Sequence, residues 1–131
     1  YGGTIENCSV DIILGGEKFT DDNLENAVVG GIAALTTSES RIINCTSSGI
    51  FYCKKYSRVG GIVGEVYGAK SGSDANATIS GCINKAKVTC GNVNGYAGGI
   101  IGYLEGIINL ENNSFEQGIP AKEVGYSTSE K

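Results

Sequence analysis

The chain has 131 residues, with 10 basic and 14 acidic side chains, a net charge of −4, and neither histidine nor tryptophan. An acidic chain with scattered Lys and Arg offers no basic stripe to a nucleic-acid backbone. No run of about 18 apolar residues is present to cross a membrane as a helix. With 40% apolar and 18% charged residues the composition is that of a folded chain, and 21 glycines argue against long helices.

In chain order, the first element is Ile5-Glu6-Asn7-Cys8. A loop-like insertion follows around Gly15 to Asn26. Within it, Asp21 to Val28 is the one stretch with helical character: Asp22 or Asn23 supplies a cap, and Leu24 and Val28 share a face. Next come Val29-Gly30-Gly31-Ile32 and then Ile42-Ile43-Asn44-Cys45, which starts 37 residues after the first element. Val59-Gly60-Gly61-Ile62 repeats the glycine pair. A second insertion, Tyr67 to Thr78, has loop composition and no apolar period. Ile79-Ser80-Gly81-Cys82 starts a further 37 residues on, followed by Ala97-Gly98-Gly99-Ile100 and a degenerate copy, Leu110-Glu111-Asn112-Asn113.

Each unit carries three short β-prone runs separated by Gly, Ser or Asn; in the second unit they are Gly61 to Tyr67, Thr78 to Ile83 and Lys87 to Cys90. A recurring unit with too little apolar surface to bury itself must stack on its neighbours. The expected fold is therefore all-β: a parallel β-helix (β-solenoid) of about four coils with three short strands each, spaced at about 4.8 Å, with two inserted corner loops. A right-handed coil is expected because that is the commoner hand. The chain is read as one domain over 1–131, with coils near 1–28, 29–58, 59–96 and 97–131. Ile5, Ile42, Ile79 and Leu110 should form one inward ladder, and Ile32, Ile62 and Ile100 a second.

The runs Gly60-Gly61-Ile62-Val63-Gly64 and Gly98-Gly99-Ile100-Ile101-Gly102, each followed by an Ile/Leu-x-Asn/Gly-Cys/Asn strand, resemble the GLUG motif. This short repeat occurs in bacterial surface proteins, including immunoglobulin A metallopeptidases and adhesin-like chains. The resemblance covers most of residues 28 to 126. The first copy departs from it, reading Ile32-Ala33-Ala34 where the last glycine would stand, and Val124-Gly125-Tyr126 reads as the truncated start of another copy. The resemblance implies an extracellular or cell-surface, non-catalytic part of such a protein, the peptidase chemistry lying in a separate domain.

The five cysteines follow the repeat: Cys8, Cys45 and Cys82 are 37 apart, as are Cys53 and Cys90. Two ladders of small buried thiols are the favoured reading. Disulfides between neighbouring coils fit on distance but leave one thiol over. A zinc site wants CxxC-like pairs or histidines, so no metal or cofactor is expected. The glycine runs lack a following Gly-Lys-Ser/Thr and so do not read as phosphate loops. Asp21, Asp22, Asn23 and Glu25 lack the spacing of a Ca²⁺ loop and read as a solvated segment. Four sequons are present at Asn7, Asn44, Asn76 and Asn112, which are candidate glycan sites in a eukaryotic secretory route. Three of them come with the repeat, where a stacked corner Asn satisfies backbone groups from coil to coil.

No catalytic constellation is visible. Parallel β-helices do host polysaccharide-cleaving enzymes, but here the commonest general base and the strongest sugar-stacking side chain are both missing. The sequence therefore points to a passive module acting as stalk, spacer or adhesive surface. A self-assembling filament subunit, stacked through open strand edges, is the second reading, and a carbohydrate-active β-helix the third. Expected partners are further repeats of a longer chain or identical subunits end to end, with host or matrix glycans or proteins, and no nucleic acid. The chain opens on Tyr1 without a leader-like segment, which suggests a processed product or a piece of something longer.

Overall fold

A computed structural model describes residues 3–14, 28–37, 39–53, 57–70, 77–90, 96–115 and 123–127. Among these the structure is all-β, without helix. The first unit contributes β1 (Thr4–Glu6), β2 (Ser9–Leu14), β3 (Val28–Gly30) and β4 (Ala33–Thr36). The second contributes β5 (Arg41–Ile43), β6 (Thr46–Cys53), β7 (Arg58–Gly60) and β8 (Val63–Tyr67). The third has β9 (Thr78–Ser80), β10 (Ile83–Asn84), β11 (Lys87–Cys90), β12 (Tyr96–Gly98) and β13 (Ile101–Glu105). The fourth has β14 (Asn109–Glu111), β15 (Ser114–Phe115) and β16 (Val124–Ser127).

These strands form four sheets, all with parallel pairing, and in each the strands follow the order of the units. Sheet A is β1-β5-β9-β14, sheet C is β3-β7-β12, and sheet D is β4-β8-β13-β16. In sheet B, β6 pairs with β2 on one side and with β10 and β11 on the other, and β10 pairs with β15. The one isolated antiparallel bridge among the described residues joins Ala69 to Ile107, beside the second insertion.

Among the described residues the first two units hold four strands and the third five, where three were read from the sequence. The run beginning at Gly61 holds one strand, β8, which starts at Val63 after a backbone turn at Gly61-Ile62, and a separate strand the sequence reading did not count, β7, ends just before it at Gly60. Glycine makes the corner tight. A Cβ on Gly60 would sit 1.8 Å from the Val63 carbonyl oxygen, and one on Gly61 2.1 Å from the Gly99 carbonyl oxygen. The run Thr78 to Ile83 likewise divides at a second corner, where Gly81 has φ +65°. Asn7, Asn44 and Asn112 occupy the same corner at φ 58°, 53° and 56°. Asn is among the few side chains that tolerate this left-handed region, which explains the repeated Ile-x-Asn-Cys better than its sequon does.

The ladder Ile5–Ile42–Ile79–Leu110 is in register across sheet A. Ile42 and Ile79 are 1% and 2% exposed, and Leu110 is half-buried. Ile5, on the end strand, is 37% exposed because no described strand covers it. In the second ladder, Ile32 N–H donates to the Ile62 carbonyl (2.9 Å) and Ile62 N–H to that of Ile100 (3.0 Å). Ile62 and Ile100 are fully buried, Ile32 partly. Apart from Ile5, both ladders belong to one core cluster with Cys45, Cys82, Val63, Ile101 and Val66; Phe51, Val59, Ala86 and Val88 form a second.

Val124-Gly125-Tyr126 is the end of a motif copy, not the start of one. Val124 pairs with Ile101 and Tyr126 with Tyr103, so Gly125 stands with Gly102 and Gly64. The carbonyl of Glu123 accepts from Ile100 N–H and Ile101 N–H, as that of Ile100 accepts from Ile62 and Val63. Glu123 thus occupies the fourth place in the second isoleucine ladder.

Candidate functional site

The densest group of polar and aromatic side chains lies on the outer face of sheets C and D. Strand register assembles it. Arg58 is beside Val28 and Tyr96 in sheet C, while Glu65 is beside Leu35 and Tyr103 in sheet D, with Tyr126 next in line. Tyr67 pairs with Glu105 one step along. Because β7 and β8 meet at the glycine corner, residues seven apart in sequence, Arg58 and Glu65 or Tyr96 and Tyr103, converge on one surface.

Arg58 is ion-paired to Glu65, and its guanidinium carbon lies 3.8 Å from the centre of the Tyr103 ring. It also donates to the Tyr67 hydroxyl (3.3 Å), which donates to Glu65 Oε2 (2.6 Å). Tyr103 and Tyr126 stack with 8° between their planes and 5.5 Å between centroids; Tyr96 lies 4.9 Å from Tyr126 and 5.8 Å from Tyr103. The Tyr103 hydroxyl donates to Glu105 Oε1 at 3.3 Å.

The electrostatics stiffen this group without activating it. Burial lowers the Arg58 guanidinium's pKa, but the hydrogen bond to Glu65 and its charge outweigh this, and the pKa lies above the ordinary value. The Tyr67 phenol is pushed up, first by its hydrogen bond to Glu65 and then by burial. Tyr103 is pushed up by burial and by the nearby Glu105 charge. Raised phenol pKa values leave both hydroxyls protonated at neutral pH, opposite to what a tyrosine nucleophile requires.

Asn7, Asn44 and Asn112 line one exposed corner, Asn7 and Asn44 in neighbouring units and Gly81 standing between Asn44 and Asn112. Asn76 and the acidic stretch Asp21, Asp22, Asn23 and Glu25 lie outside the described residues. Cys8, Cys45 and Cys82 are free thiols in consecutive units, the first exposed and the others buried. The main chains of Cys53 and Cys90 are in register. The tyrosine group escaped the sequence reading, which weighed the missing Trp and His and not the seven tyrosines. Extending the alignment of the Gly-Gly-Ile motifs by a few residues either way places Arg58 over Tyr96 and Glu65 over Tyr103. That extension is the signal that would have found the group.

Compared with protein-family models, curated proteins and solved structures, the chain has no significant match in any of the three.

Proposed function

We propose that the four parallel sheets are the faces of a β-solenoid, and that the chain serves as a non-catalytic structural or adhesive module of an extracellular surface protein of the GLUG-repeat kind. The observation that carries this reading is the unbroken register: strands of successive units pair in order in all four sheets, so like residues stack into columns. Solenoids of this sort are quasi-one-dimensional, each unit touching only its neighbours, which suits a stalk or spacer. The outer face of sheets C and D is the part suited to adhesion, because tyrosines present large, weakly polar surface at low entropic cost.

The same face argues against hydrolysis. Arg58 and Tyr67 both engage the Glu65 carboxylate, and both phenols with raised pKa values are held in their protonated form. Incubating the chain with a panel of polysaccharides and assaying reducing ends tests the point. No release is expected, and release that disappears in Glu65→Gln would overturn the reading.

A further inference from the structure

Four of the seven tyrosines gather on the outer face of sheets C and D, and three of them form a closed triangle of touching rings. Tyr103 and Tyr126 are neighbours in sheet D, so strand pairing holds their rings 5.5 Å apart and nearly parallel. Tyr96, on β12 of sheet C, meets both: its ring centre is 5.8 Å from that of Tyr103 and 4.9 Å from that of Tyr126, tilted by 35° to the latter. Tyr67 stands at the edge, 6.3 Å from Tyr103. Tyr126 is 43% exposed and Tyr96 half-buried, so these rings touch one another and are also open to solvent. Centroid distances of about 4.5–7 Å are ordinary for aromatic packing. A solvent-facing cluster of phenols has a second property, which is that it can be oxidised one electron at a time.

A phenol that gives up an electron gives up its hydroxyl proton with it, and the neutral radical carries unpaired spin on the two ring carbons beside the C–O bond, Cε1 and Cε2. Two such radicals in contact join through one of these carbons on each ring, and the hydrogen on each joined carbon then moves through solvent to its oxygen, restoring both phenols. The new bond sets the rings edge to edge and twisted, which suits the close, tilted Tyr96–Tyr126 pair better than the parallel Tyr103–Tyr126 pair. Arg58 selects in the same direction. Its guanidinium carbon lies 3.8 Å from the Tyr103 ring centre and it donates to the Tyr67 hydroxyl, and a fixed positive charge disfavours electron loss from the rings it touches. Geometry and charge therefore single out the same two of the four rings.

We propose that Tyr96 and Tyr126 form a site of oxidative cross-linking, where a peroxide acting through a one-electron peroxidase joins the two rings as dityrosine and ties the third unit covalently to the fourth. The balance is two phenols and one hydrogen peroxide in, one dityrosine and two waters out: the chain loses two hydrogen atoms, and the peroxide takes up both electrons and both protons. In a stack whose units touch only their neighbours, such a bond resists separation of one unit from the next. The inference stands on the ring geometry and the position of Arg58, independently of the surface-module reading.

The experiment treats the full chain, in dilute solution, with hydrogen peroxide and a haem peroxidase, and reads intact mass, dityrosine fluorescence and the cross-linked peptides after proteolysis. The expected product is a monomer lighter by two hydrogen atoms, with Tyr96 joined to Tyr126, which melts at a higher temperature than the untreated chain. Tyr126→Phe and Tyr96→Phe, each checked for native β signal by circular dichroism, should both lose this product, and Tyr67→Phe should keep it. A folded parent chain that yields no such monomer, or one whose intrachain bond maps to any other pair, including those with Tyr1, Tyr52 or Tyr56, would overturn the proposal. So would a product that persists in either folded Phe variant of the pair. Where a variant does not fold, the peptide map of the parent chain decides.

Discussion

Asn113 and Cys82, in adjacent units, make the same inward bond. The Asn113 amide donates to the Ile79 carbonyl at 2.9 Å, the Cys82 thiol to the Ile42 carbonyl at 3.6 Å, and Cys45 to that of Ile5 at 3.7 Å. Each thiol also lies slightly closer to a carbonyl of its own unit, Ser80 at 3.5 Å for Cys82 and Ile43 at 3.4 Å for Cys45, so the repeated cysteine is a small buried group whose one weak donor is shared between two acceptors. Serine keeps the donor and nearly the volume. We expect Cys82→Ser to cost less than about 1 kcal/mol in urea unfolding and Cys82→Leu, which overfills the column, about 1–3 kcal/mol.

Thiol reactivity should divide along the same column. Cys8 is exposed, Cys45 and Cys82 are buried, and burial pushes the Cys82 thiol pKa up, away from the reactive thiolate. In a Cys53→Ser/Cys90→Ser background, a thiol reagent should label one cysteine quickly in the native state and the other two only on unfolding. Fast labelling of all three would show that the column is open.

At the asparagine corner, the left-handed φ of Asn44 sets the cost of replacement. Asn44→Ala should lose about 1 kcal/mol, because its Cβ is held in a region that L residues avoid. Asn44→Gly should be nearly neutral, as the natural Gly81 indicates. Thermal denaturation of the two variants separates conformation from any role of the side chain itself.

The motif glycines should respond according to which unit they face. Gly64→Ala places a methyl against β3 and should cost about 1–3 kcal/mol. Ala34→Gly, at the matching end position, removes only an exposed methyl and should change stability by no more than about 1 kcal/mol, the intrinsic penalty of glycine. Equal costs at the two positions would mean that the end strand is as crowded as an internal one.

Glu123 gives a pH dependence whose sign follows from its environment. Burial raises its carboxyl pKa above the ordinary value, and the Asn113 hydrogen bond only partly offsets this. The folded state therefore binds the proton more tightly than the unfolded chain. The group's favourable contribution is full below the unfolded carboxyl pKa and is lost as pH rises through the higher folded one. Glu123→Gln should remove this part of the pH profile and be the more stable chain at neutral pH, as read by melting temperature across that range.

The stacking register was legible in the sequence because Ile42 and Ile79 sit on residues of their own kind, so a constant spacing of Ile-x-Asn-Cys is also a contact map. The extra strand of the first three units, the one in sheet C, was not. Arg58-Val59-Gly60 is too short to show an alternating pattern, and its glycine pair reads as a turn before one strand when it is a corner between two. The Arg58–Glu65–Tyr103 group was hidden for a related reason: its members come from two sheets, and only the corner at Gly60-Gly61 brings them to one surface. The truncated motif at Val124-Gly125 was misread because Val-Gly occurs on both sides of the corner, as Val59-Gly60 and as Val63-Gly64, and a lone copy does not say which side it belongs to.

The central claim is that successive units lie directly over one another, and isoleucine methyl NOEs test it most directly. In a chain labelled only at isoleucine methyls, cross-peaks should join Ile5 to Ile42 and Ile42 to Ile79, and separately Ile32 to Ile62 and Ile62 to Ile100. The absence of a cross-peak between Ile42 and Ile79, whose assigned resonances are both visible, would contradict the stacked arrangement.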